Sequence, residues 1–319
     1  MANKKVSESV LNRSVIKLID YRNDCIAAGP AVGQDCAVTD IGDRYVLTST
    51  ECALTKEKYA PYFAVMRAVN NIAACGGIPL TVSAAFILPE GFEEKELKAL
   101  TRTVNEACRA CGVPLSGGHT EICCDALSFM VSVTVTGICM KEKYLTLKNA
   151  KPGMAIVATK RIAIEKTAYL VTEKECRDKL LERLPVGYVE HADSVINEAC
   201  AMRDADIAAH NGAVAMHDAA GGGIFTALWE LSVGSRCGLN VDLRAVPVAQ
   251  ETIEFSEIFG VNPYEEASAG CMLIVTDRPA HLMEALEGEG IPAAVIGYLT
   301  SDNDKKIVNG DEVRYLDKP

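Results

Sequence analysis

The chain has 319 residues, 49% hydrophobic and 24% charged. This mixture excludes disorder as the main state and gives each of two domains enough apolar content for a core. Its 32 Lys and Arg against 43 Asp and Glu leave a formal charge of −11, which argues against duplex nucleic acid, whose affinity rests on cationic side chains neutralising phosphates.

A nucleotide stays open as a ligand, because a divalent cation bridges carboxylates to phosphate oxygens. No apolar run of about 18 residues is present, so no membrane span is expected. Met1-Ala2-Asn3-Lys4-Lys5 lacks the apolar core of a secretion signal, so a cytoplasmic protein is expected. The 13 cysteines are then expected as reduced thiols.

In chain order, Ser9 to Asp20 predicts an amphipathic helix through Val10, Leu11, Val15, Ile16 and Leu18. Cys36–Ile41 and Tyr45–Ser49 read as short strands around the turn Gly42-Asp43. Tyr59 to Cys75 reads as a helix stopped by Gly76-Gly77 and Pro79, and Thr81 to Leu88 as a buried strand. Glu93 to Cys111 is a helix by its spacing of Leu97, Leu100, Val104, Cys108 and Cys111, with Gly112 as its stop. Leu127 to Thr136 alternates apolar and polar residues as a half-covered strand does.

A boundary is expected near Lys141 to Gly153, dividing the chain into domains 1–150 and 151–319. Beyond it, strands are predicted over Met154–Thr159, Leu239–Leu243, Cys271–Thr276 and Ala293–Thr300. Helices are predicted over His191–His210, Gly223–Ser232 and Ala280–Glu287, and Asn309-Gly310 marks a closing hairpin between Lys306–Val308 and Glu312–Tyr315. The class is mixed α and β.

Four local signals join flexible backbone to polar side chains. In Gly33-Gln34-Asp35 the glycine permits close approach of a ligand and the carboxylate suits a hard cation; the same residues also make an ordinary turn. Asn70-Asn71 offers amide oxygens near a helix end and serves equally as a helix stop. Ser116-Gly117-Gly118-His119-Thr120-Glu121 suits a polyanion-binding loop in which His119 acts as a base, a phosphate contact or a plain loop residue. Met216-His217-Asp218-Ala219-Ala220-Gly221-Gly222-Gly223 opens a helix whose N-terminus favours phosphate, with Asp218 placed for the accompanying cation. A separate signal is Cys108 and Cys111 with Cys123 and Cys124, four thiols in number enough for zinc or an iron–sulfur cluster; Cys108 and Cys111 also fit the apolar face of their helix.

In this order the signals resemble the aminoimidazole-ribonucleotide (AIR) synthetase superfamily, nearest to its HypE-like, AIR-synthase-related branch. The resemblance runs from Gly29-Pro30-Ala31-Val32-Gly33-Gln34-Asp35 through the Ala68 to Pro79 segment, Gly117-Gly118-His119-Thr120-Glu121 and Met216-His217-Asp218 with Gly222-Gly223. It implies an α/β N-terminal domain that dimerises through its strands, an α+β C-terminal domain, and ATP in a long cleft near the dimer interface, held through magnesium by carboxylates. The implied chemistry is phosphorylation or activation of an oxygen on a small-molecule acceptor.

Position by position, the resemblance makes Asp35, Glu51 and Asp218 magnesium ligands and Gly33, Asn71, Gly117, Gly118, His119, Thr120, Gly222 and Gly223 nucleotide contacts, with His119 and Glu121 as catalytic candidates. Glu51 stands where relatives usually have Asp, Asn71 where they have the Asp of an Asn-Asp pair, and Ala219-Ala220-Gly221 replaces a more polar stretch. A catalytically degenerate nucleotide-binding scaffold or sensor is therefore the first alternative, and a cysteine-ligated metal protein the second. HypE relatives carry a terminal Cys that receives a carbamoyl group. This sequence closes Arg314-Tyr315-Leu316-Asp317-Lys318-Pro319 and its last cysteine is Cys271, so carbamoyl dehydration on a C-terminal Cys is not expected. Nor is selenophosphate chemistry, because no reactive Cys or Lys loop precedes Gly33.

Overall fold

The computed structural model describes residues 5–21, 23–54 and 57–319, so Met1 to Lys4 of the segment read for a secretion signal lie outside the described residues. After a short helix α1 (Glu8–Ser14), the strands β1 (Ile26–Ala28), β2 (Ala37–Asp40), β3 (Arg44–Ala53), β4 (Ile78–Leu88), β5 (Leu115–Ile122) and β6 (Met130–Met140) form one sheet. Its order is β1-β2-β3-β6-β4-β5, antiparallel except for the β4–β5 pair. Helices α2 (Ala60–Ala74) and α3 (Glu94–Cys111) cover one face. The other face, with Thr48 and Thr50 of β3, Thr81 and Ser83 of β4 and Ser132, Thr134 and Thr136 of β6, stays partly exposed.

The second sheet comprises β7 (Ala155–Thr159), β8 (Ala213–Asp218), β9 (Gly238–Asp242), β10 (Met272–Thr276), β11 (Ala293–Thr300), β12 (Lys305–Asn309) and β13 (Glu312–Tyr315), in the order β13-β12-β9-β11-β7-β10-β8. Around it lie α4 (Ile164–Thr172), α5 (Lys174–Leu181), α6 (Val186–His191), α7 (Met202–His210), α8 (Gly223–Ser235), α9 (Gln250–Phe259) and α10 (Pro279–Gly288). β7 and β10 are buried along their whole length, as strands covered on both faces are. One covering layer is built on α8, through Ile224, Leu228 and Leu231, and the other on α7 and α10. Among the described residues no helix is long and apolar enough to cross a membrane.

α2 links the two sheets. Of its fifteen residues only Ala60, Arg67 and Asn71 escape full burial, the pattern of a helix packed on all sides. Its far end places Ala73 and Ala74 in the same apolar cluster as Ala201, Met216 and Met272 of the second sheet's half.

Several predicted elements need correction. The first helix ends at Ser14 and is followed by a 3-10 turn over Ile16–Leu18, and none of its residues is buried. β6 begins at Met130, because its partners stop at Ile87 of β4 and Ala53 of β3, leaving Leu127 without an opposing strand and 99% exposed. Ser116 to Glu121 is part of strand β5 rather than a loop; at Gly118 (φ 154) any Cβ would overlap the Ala84 carbonyl of β4, so the strand pairs only because that atom is missing. The helix expected over His191–His210 is broken into α6, a 3-10 turn over Ala192–Glu198 and α7. The break lies where the buried Asn70 side chain donates to the Ala199 carbonyl at 3.0 Å and accepts from the Ala201 N–H at 2.8 Å. Cys271 precedes β10 rather than lying within it. The periodicity did not announce α4, α5 and α9.

Candidate functional site

The turn before β2 carries Asp35 against the end of β8. Gly33 (φ 75) shapes it: a Cβ there would lie 2.6 Å from the Glu230 carbonyl of α8, so glycine lets the turn dock on that helix. Asp35 Oδ1 then lies 2.7 Å from His217 Nδ1, and His217 Nε2 lies 3.2 Å from Glu230 Oε2. The His217 side chain is only 5% exposed. Burial works against its charge, but Asp35 first and Glu230 next outweigh burial and hold its pKa up to about 10. Burial likewise raises Glu230, and His217 with Lys5 more than reverses this, bringing it to about 2. A buried imidazolium thus sits between two carboxylates contributed by the two halves of the chain.

Asp218, the next residue of β8, has the opposite environment. Both its carboxylate oxygens are buried without a hydrogen-bond partner, and the residue is 5% exposed. Burial is the main cause that lifts its pKa well above the ordinary carboxylate range, and Asp35 and Glu51 add to it as nearby negative charges. A buried carboxylate without a partner costs free energy unless something positive meets it.

Glu51 on β3 is already engaged. Arg67 and Asn71, one turn apart on the same side of α2, both reach it: Arg67 Nε lies 3.2 Å from Oε2 and Asn71 Nδ2 3.3 Å from Oε1. Asn71 also donates to Ser49 Oγ at 3.0 Å, and Arg67 Nη1 to Glu165 Oε1 of α4 at 2.7 Å. Burial opposes the Arg67 charge, but Glu165 and Glu51 raise its pKa above the usual arginine value. Nearby, Lys160 Nζ lies 2.9 Å from Asp204 Oδ2 and donates to the carbonyls of Cys200, Glu198 and Gly270 at 2.7, 3.0 and 3.3 Å.

Among the described residues no group of three or more His, Cys, Asp or Glu side chains is placed to hold a metal ion. This bears on both metal readings. Cys108 is buried in the core beneath α3 and Cys111 packs against it, while Cys123 and Cys124 follow the end of β5, so the four thiols form no such group. For magnesium the donor set fits a different arrangement, one or two protein carboxylates completed by phosphate oxygens and water. Asp218, with two free buried oxygens beside Asp35, has that character.

The structure brings Asp35 against His217, sets Asp35 and Glu51 near enough to Asp218 to act on its charge, holds Asn71 on Glu51 and docks Gly33 on α8; Gly222 and Gly223 open α8, four and five residues after Asp218. It does not bring Gly117, Gly118, His119, Thr120 and Glu121 to this group. Glu51, Val133, Ala84 and Gly118 lie in one row across the first sheet, so β5 is three strands, about 14 Å, from Glu51. His119 Nε2 contacts Glu121 Oε2 at 3.0 Å, and both side chains are exposed. Sequence reading gave no role to Arg67, Lys160, His217 or Glu230. Arg67 was open to discovery, lying four residues before Asn71 in a helix otherwise apolar; Glu230 and Lys160 carry no local signal.

The AIR synthase related protein N-terminal domain matches residues 33–139 and the corresponding C-terminal domain residues 151–309. The chain belongs to the AIR synthase-related family. A carbamoyl dehydratase HypE of Rhizobium leguminosarum bv. viciae is 27% identical over 298 residues, covering 89% of this chain and 80% of the relative. HypE in a HypE–HypF complex shares the fold with a TM-score of 0.78 at 21% identity, covering 98% of this chain and 100% of that one. HypE in complex with ATP has a TM-score of 0.72 at 19% identity, covering 98% and 94%. AaThiL complexed with AMPPCP and TMP also has 0.72, at 17% identity, covering 98% and 96%. Family membership and the two-domain fold follow from these matches.

Proposed function

We propose that this AIR-synthase-related protein binds Mg-ATP at the junction of its two sheets and uses it to phosphorylate or activate an oxygen of a small-molecule acceptor. The observation that carries the reading is Asp218, buried with both oxygens unpartnered beside Asp35. Nucleotide complexes of HypE and ThiL relatives on the same fold support it. Asp35 and Asp218 would hold the cation, which would neutralise phosphate charge; Glu51 would act behind them, oriented by Arg67 and Asn71. The N-terminus of α8, after Gly222, suits the phosphates. We take 1–150 and 151–319 as the two domains and the cytoplasm as the compartment.

A homodimer through the first sheet belongs to the same reading. The partly exposed face is rich in Thr and Ser, and β5 is an edge strand with exposed His119, Thr120 and Glu121. Gly117 on it needs no special room in the chain, since a Cβ there would come no closer than 3.8 Å to Ser83 Oγ. A partner packed on this face would bring one protomer's β5 residues towards the site of the other, where His119 and Glu121 would act on the acceptor.

Cys271 is fully buried, and burial pushes its thiol far above the ordinary range, so it is unsuited to accept a transferred group. The second reading, a nucleotide-binding scaffold without turnover, draws on Asn71 and on the capping of Glu51 by Arg67.

Calorimetry with Mg-ATP tests binding: a saturable signal is expected, lost in Asp35→Asn with Asp218→Asn. No signal in the unmodified protein would overturn the proposal. Hydrolysis of ATP that rises with a pooled set of metabolites distinguishes the enzyme from the scaffold, for which no such rise is expected.

A further inference from the structure

Two residues after Glu165, and so on the opposite side of α4, Thr167 helps to line a separate small cavity. It measures about 80 Å³ and is bounded by the 3-10 turn over Ala192–Glu198 and the first turn of α9. Its charged groups meet in pairs. Arg161 Nη2 donates to Glu198 Oε1 at 2.7 Å, and His191 Nδ1 lies 2.7 Å from Glu251 Oε1. The hydroxyls of Thr167 and Thr252, both buried, satisfy each other at 2.8 Å.

Two hydrogen-bonding capacities are left over. Glu198 Oε2 is buried and has no partner, which costs free energy until a donor meets it. A guanidinium carries five N–H donors, and among the described residues only Nη2 of Arg161 is engaged. Burial raises Glu251, but its own N–H, His191 and then Arg161 bring it below the ordinary carboxylate range, so the one guanidinium acts on both acids. No side chain caps the start of α9, whose first N–H groups favour negative charge beside Arg161.

These leftovers define an occupant. Two carboxylates against a guanidinium and an imidazole leave no excess of positive charge for a polyanion. Arg161 repels a metal ion, and among the described residues His191, Glu198 and Glu251 form no metal-holding group. The cavity calls for a cationic donor towards Glu198 and an anionic acceptor towards Arg161 on one short molecule. Its volume, two or three waters at about 30 Å³ each, admits only a few heavy atoms.

We propose that this cavity binds a small free α-amino acid of the size of glycine, alanine or serine, its ammonium on Glu198 Oε2 and its carboxylate on Arg161. The site is separate from the nucleotide reading and does not depend on it. Its walls nevertheless lead to the junction: the Glu198 carbonyl accepts from Lys160 Nζ at 3.0 Å, and Asn70 of α2 holds the Ala199 carbonyl and the Ala201 N–H. An occupant braces that segment, so binding is expected to raise the melting temperature.

Calorimetry on the full chain without nucleotide titrates glycine, alanine, serine and leucine, with the carboxylic acid and the amine that match each but lack one charged group. Saturable binding is expected for at least one of the three small amino acids and not for leucine. The acid and the amine should each bind about tenfold more weakly, the loss of a charge-assisted hydrogen bond. Glu198→Gln and Arg161→Met should weaken the amino acid by a similar factor, with Arg161→Lys recovering part. Melting without ligand checks that the variants fold, and the comparison of ligands on the unmodified protein stands without them. Absence of saturable binding by all three small amino acids overturns the proposal. So does an acid or amine that binds as tightly as its amino acid, leucine binding as tightly as alanine, or unchanged affinity in a folded Glu198→Gln.

Discussion

Asp35 Oδ1 lies 2.7 Å from His217 Nδ1, joining a turn of the first sheet to a strand of the second through a contact in which neither side chain is more than 8% exposed. Since His217 is also held by Glu230, the junction carries its own buried cation next to the unpartnered carboxylate of Asp218. The behaviour of the site with pH, metal and mutation follows from this placement.

The first prediction concerns pH. His217 is held up to about 10 from an ordinary 6.5, so the stability it contributes is fully present below about pH 6.5 and is lost as pH rises through 10. Glu230 is held down to about 2 from 4.5, so its contribution is fully present above 4.5 and is lost as pH falls through 2. Both shifts express largely one shared interaction and are not to be added. Melting temperature should fall between pH 6.5 and 10, and His217→Gln should flatten that limb. A limb just as steep in His217→Gln would remove His217 as its cause.

Asp218 and Glu51 should separate metal binding from stability. The raised pKa of Asp218 means that folding holds on to its proton, so its cost to stability grows as pH rises above the ordinary carboxylate value. Asp218→Asn should therefore be more stable than the unmodified protein at pH 8 in the absence of metal, by about 1–3 kcal/mol, with the gap closing towards pH 4. It should also lose any stabilisation by magnesium with ATP. Glu51→Gln, which breaks the pairing with Arg67, should lose stability instead and keep magnesium affinity within a few-fold. The reverse pattern in thermal-shift titrations would move the metal from Asp218 to Glu51.

Lys160 is predicted to be structural. The Asp204 side chain is 2% exposed, so Lys160→Met leaves a carboxylate buried without its cation, at a cost of about 3–5 kcal/mol. Replacing both residues, Lys160→Met with Asp204→Leu, should recover much of it. Denaturant unfolding of the single and double variants checks this; a single variant as stable as the parent would refute it.

The open sheet face predicts an assembly. Thr134 of β6 lies beside Thr50 of β3, their hydroxyls 3.0 Å apart, near the centre of that face. Thr134→Arg should turn a dimer into a monomer in sedimentation velocity while leaving the fold intact by circular dichroism, since this side chain is not part of the buried core. A parent protein that sediments as a monomer would refute the assembly itself.

Whatever depends on neighbours along the chain is legible in the order of residues. The spacing of Leu97, Leu100, Val104 and Cys108 made α3, and Asn309-Gly310 made the closing hairpin, because those patterns act over a few residues. Motif order was enough to point to the family. Tertiary structure alone decided which of these residues meet. β5 reads as a loop because its glycines lack strand propensity, and it pairs only once the Ala84 carbonyl lies beside Gly118. The helix over 191–210 breaks because Asn70, some 130 positions away, takes hydrogen-bonding groups at the break. The state of each acid was likewise hidden: Asp35 meets His217, Glu51 is capped by Arg67 and Asn71, and Asp218 is left with no partner. Charge on a buried group is set by what surrounds it in space, and a linear order of residues carries no record of that distance.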